Sequence, residues 1–158
     1  MNLQEILELR QPARFTCRAG WQSHESQEFF EVFVDHNEQT WRVNNLTTGI
    51  VAHYADGMLH HGPEITPSDN YRKRVTTTAL QLIFPEKLPV WGRAGKDTDS
   101  PVNTESLSSD EVLVTCASLQ DPSIRKTLVV NTGLGLVTRY NDSLTATLLF
   151  DVKDLNEV

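Results

Sequence analysis

The sequence contains no run approaching the roughly 18 consecutive apolar residues that a membrane-spanning helix needs. Its first residues, MNLQEILELRQPARF, contain neither the basic region nor the apolar region of a secretion signal. No lipid-attachment cysteine lies near the start of the chain. These absences favour a cytoplasmic protein without a membrane span.

Positive charge is also scarce. The 158 residues include 14 lysines and arginines against 21 aspartates and glutamates, which gives a net charge of −7. An acidic protein has the wrong sign for binding a nucleic-acid backbone. The one short basic run, Arg72-Lys73-Arg74, is interpreted as a solvated helix face. We therefore expect no nucleic-acid partner.

Only two cysteines occur, Cys17 and Cys116, and neither belongs to a metal-binding or redox motif. Each lies in a segment of alternating apolar residues, which favours buried free thiols in a reducing compartment. Spacing alone leaves a single disulfide between them open.

Histidines cluster once, where His53, His60 and His61 lie close to Asp56. Adjacent residues of a strand point to opposite faces, so His60 and His61 can both join one site only if the strand is bulged there. His53 and His61 could face each other across the turn at Asp56. Because no third ligand is evident, the sequence predicts neither a metal site nor a cofactor.

Motifs for catalysis are missing as well. The sequence contains no G-x-S-x-G motif, and the glycines around Leu134 lie in a predicted hairpin turn rather than between a strand and a helix. We predict no catalytic residues. The enzymatic alternative would be centred on His53, Asp56 and His61, with perturbed pKa values in a cleft.

What the chain does contain is an internal repeat. Residues 40–58, TWRVNNLTTGIVAHYADGM, return as residues 126–144, KTLVVNTGLGLVTRYNDSL. Each copy is predicted to form a strand, a turn and a second strand. Aligned without a gap, the copies match Asn45 with Asn131, Gly49 with Gly135, Tyr54 with Tyr140 and Asp56 with Asp142.

Hydrophobic periodicity predicts a single α+β domain over residues 1–158. Eight or nine strands form one curved antiparallel sheet, a half-barrel, because every connection is that of a meander. An N-terminal helix capped by Asn2 and an inserted helix of about 14 residues, beginning after Ser68 and ending before Phe84, lie against its concave face. The segment 92–110 is predicted to be a long polar loop.

Two segments, FPEKLPVWGR and LVVNTGLGLVTRY, together with the order of the elements, resemble small actinobacterial proteins of the LolA-like half-barrel family. The same fold occurs in bacterial lipoprotein carriers and in the LppX and LprG lipoproteins. The resemblance implies a curved sheet whose apolar concave face holds lipid or acyl chains. It implies no catalytic residue.

The aromatic residues suggest where a ligand would bind. We expect Trp21, Trp41, Tyr54 and Trp91 to line an apolar pocket between the sheet and the inserted helix. Arg93 would lie at its rim, where it could pair with an acidic head group, and the 92–110 loop would be its lid. The alternative is that these aromatic residues only pack the sheet against the helix.

The leading hypothesis is therefore a non-enzymatic binding protein that holds a small apolar or lipid-like ligand in the concavity of the sheet. A protein–protein interaction module or homodimer without a ligand is the alternative. The ligand hypothesis predicts a cavity of several hundred Å³. The interaction module predicts a filled core and an exposed apolar patch.

Overall fold

The computed structural model describes residues 1–75 and 77–156. In this part of the chain, eleven strands form a single antiparallel sheet, accompanied by two α-helices and one 3-10 helix. The helices are α1 (Leu3–Glu8), α2 (Thr78–Ile83) and the 3-10 helix Pro85–Lys87. The strands are β1 (Arg14–Ser23), β2 (Gln27–Asp35), β3 (Thr40–Asn45), β4 (Val51–Ala55), β5 (Met58–His61), β6 (Glu64–Pro67), β7 (Asp99–Ser106), β8 (Glu111–Ser118), β9 (Arg125–Asn131), β10 (Leu136–Asn141) and β11 (Thr145–Asp154).

The sheet is curved and unclosed, with the strand order β6-β5-β4-β3-β2-β1-β11-β10-β9-β8-β7. Strands β1–β6 and β7–β11 are two meanders, and the pairing of β1 with β11 joins them at the centre. The α2 helix belongs to the connection between the two meanders. The predicted curved antiparallel sheet is confirmed, although it has more strands and less helix than we expected.

One face of the sheet, here called the covered face, packs against α1, α2 and the 3-10 helix. Alternate residues of each strand supply its buried side chains, as period-2 strands require. The helical segment contributes Leu80, Leu82, Ile83 and Phe84, and none of these four side chains is exposed to solvent. The space between the sheet and the helices is therefore filled by side chains.

Two strands were not predicted. The β6 strand has only four residues and ends in Pro67, and β7 lies inside the segment that we predicted to be a loop. Both are edge strands, and most β7 side chains are exposed. An edge strand that packs few side chains does not need apolar alternation, so its sequence resembles that of a loop. The predicted 92–110 loop is thus wrong over Asp99–Ser106.

The inserted helix is shorter than predicted. It begins after Thr77, whose hydroxyl accepts a hydrogen bond from the Leu80 amide, rather than after Ser68. Around Tyr71 the chain forms a turn, and the Tyr71 carbonyl accepts a hydrogen bond from Trp41 Nε1. This tertiary contact replaces the local helical pattern. Thr76, which the prediction included, lies outside the described residues.

The N-terminal helix was predicted with its cap. Asn2 Oδ1 accepts a hydrogen bond from the Glu5 amide, and Glu5 Oε2 accepts one from the Asn2 amide. This reciprocal pair is a capping box. It begins a helix of six residues that buries Ile6 against the core.

Candidate binding surface

Three of the aromatic residues expected to line a pocket are instead part of the packed core. Trp41 Nε1 donates to the Tyr71 carbonyl at 2.7 Å, and Trp91 Nε1 donates to the Pro85 carbonyl at 2.7 Å. The Tyr54 hydroxyl donates to the Ser68 carbonyl at 2.8 Å. Each polar group thus has a backbone partner, and each side chain is less than a tenth exposed. The Trp41 and Tyr54 hydrogen bonds fasten the connection between β6 and β7 to the sheet, and the Trp91 hydrogen bond holds that connection together internally.

Arg93 does not point to a free rim. Its guanidinium donates to both carboxylate oxygens of Asp97 and to the carbonyls of Glu86 and Leu88. Burial opposes ionisation of Asp97, but the hydrogen bonds from Arg93 hold the pKa of that carboxyl below its ordinary value. Arg93 therefore closes a loop of the chain onto itself.

Trp21 is half-buried and packs against the core from its place in the sheet. It occupies β1, opposite Thr147 of β11, and borders a groove that belongs to the other side of the sheet. The structure does not bring Trp21, Trp41, Tyr54, Trp91 and Arg93 together around one opening.

The other side of the sheet, here called the open face, is not covered by the helices. Phe29, Leu148 and Phe150 lie on it with 48%, 38% and 37% of their surface exposed. These three residues are called the apolar strip. Phe29 and Leu148 both lie opposite Gly20 of β1, and the Phe29 ring fills the space beside that glycine.

Two grooves run along the apolar strip. One has a volume of about 340 Å³ and lies between Phe29 and Phe150; the other, of about 480 Å³, extends from Phe150 towards Leu107. Both are bordered by Leu148, Phe150 and Arg139. Arg139 lies opposite Leu148 on the neighbouring strand β10. The grooves are therefore two parts of one apolar surface with a cation at its centre.

A third pocket, of about 270 Å³, continues the open face towards β3 and is called the charged pocket. It is lined by Arg18, Arg42 and Lys153, together with Glu31 and Asp151. Arg18 lies directly opposite Phe150, so the charged pocket begins where the apolar strip ends. The β1–β11 register shifts here, and Asp151 has a φ of +52°. Such bulges redirect side chains, here those of β11.

The histidine cluster is arranged differently from our prediction. His53 faces His60, not His61, and the two rings stack with their centroids 4.2 Å apart. Burial, followed by the charges of His60 and Arg42, lowers the pKa of His53. Within residues 1–75 and 77–156, no group of three or more histidines, cysteines or carboxylates is placed to hold a metal ion.

A buried polar network that the sequence did not suggest is centred on His36. Its Nε2 lies 2.7 Å from Gln11 Oε1, and its Nδ1 lies 2.8 Å from the Tyr71 hydroxyl. Gln11 Nε2 donates to the carbonyls of Ile83 and Gly135, so Gln11 Oε1 is left to accept from His36. Burial and the nearby Arg72 lower the pKa of His36. No periodic pattern predicts such a network, because its members are far apart in sequence.

Both cysteines are buried free thiols, as the apolar alternation around them favoured. Burial raises the pKa of Cys17 to about 12 and is the main cause that raises the pKa of Cys116 to about 12. Thiols with such pKa values are protonated at neutral pH and are poor nucleophiles.

Each α-helix has six residues. This is far below the roughly 20 residues that cross a bilayer, so no helix of the described part of the chain could span a membrane.

No family model and no curated protein matches the chain. Among solved structures, an uncharacterised conserved protein from Thermus thermophilus aligns with a TM-score of 0.59 and 11% identity, over 98% of this chain and 88% of that one. MucB aligns with a TM-score of 0.56 and 12% identity, over 99% of this chain. The chain spans 58% of the length of MucB.

A LolA superfamily protein, NE2245 from Nitrosomonas europaea, also matches, with a TM-score of 0.39 and 12% identity, over 100% of this chain and 95% of that one. The likeness to the Thermus protein and to MucB, at such low identity, concerns the fold alone. At that level, the LolA-like fold suggested by the sequence is confirmed.

Proposed function

We propose that this chain is a non-enzymatic binding protein that docks a protein partner on the open face of its sheet. The observation that carries the proposal is the contrast between the two faces. The covered face is filled by its own side chains, whereas the open face leaves Phe29, Leu148 and Phe150 exposed beside Arg139. A filled core with an exposed apolar patch is what an interaction module requires.

The other ligand class, a small apolar or lipid-like molecule, is supported less well. In the expected concavity, the helical residues Leu80, Leu82 and Ile83 occupy the space in which such a ligand would lie. The open-face grooves have suitable volumes, about 340 and 480 Å³, but each is only partly enclosed. Sites for small ligands usually bury about 70–90% of the ligand. A partner protein would cover the grooves from outside.

The edges of the sheet favour docking on the face over addition of a strand. The β6 edge is only four residues long and ends in Pro67. The β7 edge contains Pro101, next to a register shift. Short edge strands, prolines and bulges are the features by which proteins prevent edge-to-edge pairing. These features therefore argue against a homodimer formed through either edge.

A selection from a random peptide display library tests the proposal. The native protein serves as bait, and the enriched peptides are measured again on Phe150→Asp and on Lys96→Glu, a control on an exposed turn away from the open face. We expect the enriched peptides to bind the native protein and the control but not Phe150→Asp. Circular dichroism would show whether all three proteins are folded.

Peptides that bind Phe150→Asp as well as the native protein would overturn the proposal, since the open face would then not be the docking surface. A ligand of a few hundred daltons, found by native mass spectrometry and lost on denaturation, would instead support the small-ligand alternative.

A further inference from the structure

We infer that the partner presents an acidic amphipathic segment to the open face, with carboxylates for the charged pocket and for Arg139 and apolar side chains for the strip. This inference rests on the proposed function and names the chemistry of the partner. It follows from the distribution of charge over the open face.

The charge at the centre of the open face has the opposite sign to the net charge of the whole chain. The protein has a net charge of −7. Yet four cations, Arg18, Arg42, Arg139 and Lys153, lie at the centre of the open face, against the carboxylates of Glu31 and Asp151 there and of Glu111 at the border of the larger groove. A local excess of positive charge attracts an acidic surface and disfavours the face-to-face pairing of two such patches.

In the part of the chain that the structure describes, no carboxylate pairs with these four cations. Within the described ranges, 1–75 and 77–156, no carboxylate oxygen lies within 4.0 Å of their charged nitrogens. By contrast, Arg72, Arg93 and Lys126 pair with Glu86, Asp97 and Asp99 on the other side of the molecule. Arg42 Nε donates a hydrogen bond to the neutral Asn44 Oδ1, but none of the described carboxylates neutralises the four charges, so they are available to an acidic partner.

Two apolar residues of the strip each have a cation as a neighbour on the adjacent strand. Arg18 is the cross-strand neighbour of Phe150, and Arg139 that of Leu148. A partner segment that covers Leu148 and Phe150 must pass within reach of both guanidinium groups. Acidic and apolar residues that alternate along the segment would match this arrangement, and bidentate pairing suits arginine.

The two carboxylates of the charged pocket restrict which chemical class of partner the pocket fits. Glu31 lies opposite Arg18 on β2, and Asp151 lies at the bulge of β11. A polyphosphate chain would meet these negative charges without any compensating cation of its own. A polypeptide can place carboxylates beside the cations and polar or basic groups beside Glu31 and Asp151. The pocket therefore fits a protein segment better than a nucleic acid.

A second copy of this chain fits poorly. In a symmetric dimer through the open face, the same surface meets itself, so two surfaces with an excess of positive charge would face each other. Like charges placed together cost free energy and select against that pairing. The partner is thus expected to be a different, acidic protein.

The selected peptides test this inference separately from the proposed function. We would synthesise the tightest peptide and a version with every aspartate and glutamate replaced by asparagine and glutamine. Fluorescence anisotropy would measure the Kd of both for the native protein, for the double variant Arg18→Glu/Arg139→Glu and for Lys96→Glu. We expect the selected peptides to be rich in acidic and apolar residues.

We expect neutralising the peptide, or reversing Arg18 and Arg139, to raise the Kd by roughly tenfold or more, whereas Lys96→Glu leaves it within about twofold. Binding should also weaken as salt is added. Peptides that depend on Phe150 but lack acidic residues, and bind equally well when neutralised, would overturn the inference and leave the proposed function standing. Peptides that do not depend on Phe150 would overturn both.

Discussion

Arg18 and Phe150 lie directly opposite each other on β1 and β11, at the seam that joins the two meanders. The same seam carries core residues on its covered face, where Ala19 lies opposite Leu149. Adjacent residues of these two central strands therefore serve two purposes. Ala19 and Leu149 hold the sheet to its helices, and Arg18 and Phe150 form the surface that we propose to be functional.

Leu149 and Phe150 give a direct test of this division. Leu149 is 4% exposed and Phe150 is 37% exposed. We expect Leu149→Asp to destabilise the fold by about 4 kcal/mol or more, because it buries a charge without a partner. We expect Phe150→Asp to cost about 1–2 kcal/mol, since the aspartate can remain hydrated. Urea unfolding of both variants measures this difference, and equal losses would refute the assignment of faces.

The internal repeat provides a second matched pair. Gly49 and Gly135 occupy equivalent turns with φ values of +78° and +67°. A Cβ at Gly49 would meet nothing within 4 Å, whereas a Cβ at Gly135 would lie 3.0 Å from the Arg10 carbonyl carbon and oxygen. Gly49→Ala should cost about 1–2 kcal/mol, which is the strain of the left-handed backbone. Gly135→Ala should cost clearly more, since backbone atoms must also move.

Thermal unfolding of the two alanine variants would measure this difference. Equal melting temperatures would mean that residues 9–11 move away from the added methyl group without a loss of stability. That result would contradict the tight packing of the N-terminal segment on the β9–β10 turn.

Trp41 is expected to stabilise the fold rather than to bind a ligand. Its side chain is 1% exposed, and its Nε1 donates to the Tyr71 carbonyl. Trp41→Phe should destabilise the protein by about 2–3 kcal/mol, because it leaves a small cavity and a buried carbonyl without a donor. Chemical denaturation measures the loss. If the folded variant binds the selected peptide as tightly as the native protein does, Trp41 contributes to stability and not to docking on the open face.

His36 predicts a dependence of stability on pH. Its pKa is lowered in the folded protein, first by burial and then by the charge of Arg72, while Asp35 and Glu86 act in the opposite direction. The unfolded chain therefore takes up a proton at higher pH than the folded protein does. The stabilisation is complete above the ordinary histidine pKa, about 6.5, and is lost as pH falls from there towards the folded pKa.

Unfolding free energies at pH 7.5 and pH 5.5 should therefore differ more for the native protein than for His36→Asn. His53 also has a lowered pKa and contributes its own part, so His53→Gln is the matched control. If the native protein and His36→Asn lose the same stability on acidification, His36 is not a group that carries this dependence.

Local sequence patterns predicted much of the fold. Alternation predicted a curved antiparallel sheet, and Asn2 was correctly predicted to cap the N-terminal helix. The equivalent turns at Asn45 and Asn131 could be recognised because each asparagine accepts hydrogen bonds from amides two or three residues onward. These features are encoded within a few neighbouring residues.

The proposed docking surface is harder to predict from sequence, because it depends on which face of a strand is covered. In β11, Leu148, Leu149 and Phe150 are all apolar, so alternation does not distinguish the two faces. The same holds for Phe29 and Phe30 of β2, two adjacent apolar residues of which Phe29 is exposed and Phe30 is buried. The signal available in the sequence was a strand with apolar residues on both faces. When the helices cover only one face of the sheet, the apolar residues on the other face stay exposed.

For a related reason, the sequence alone does not tell whether the tryptophans line a ligand pocket or pack in the core. A large aromatic residue with a polar nitrogen suits both a ligand pocket and a core that lacks donors. Only the positions of the Tyr71 and Pro85 carbonyls, which are tertiary features, show that Trp41 and Trp91 serve the core.

The most direct test of the central claim is a nuclear magnetic resonance titration of the isotope-labelled protein with the tightest selected peptide. Docking on the open face predicts that side-chain signals of Phe29, Leu148 and Phe150 shift together, while those of Leu80 and Leu82 in the covered core stay in place. Shifts concentrated on Leu80, Leu82 and Trp41, with the apolar strip unchanged, would contradict it and place the binding site between the sheet and the helices.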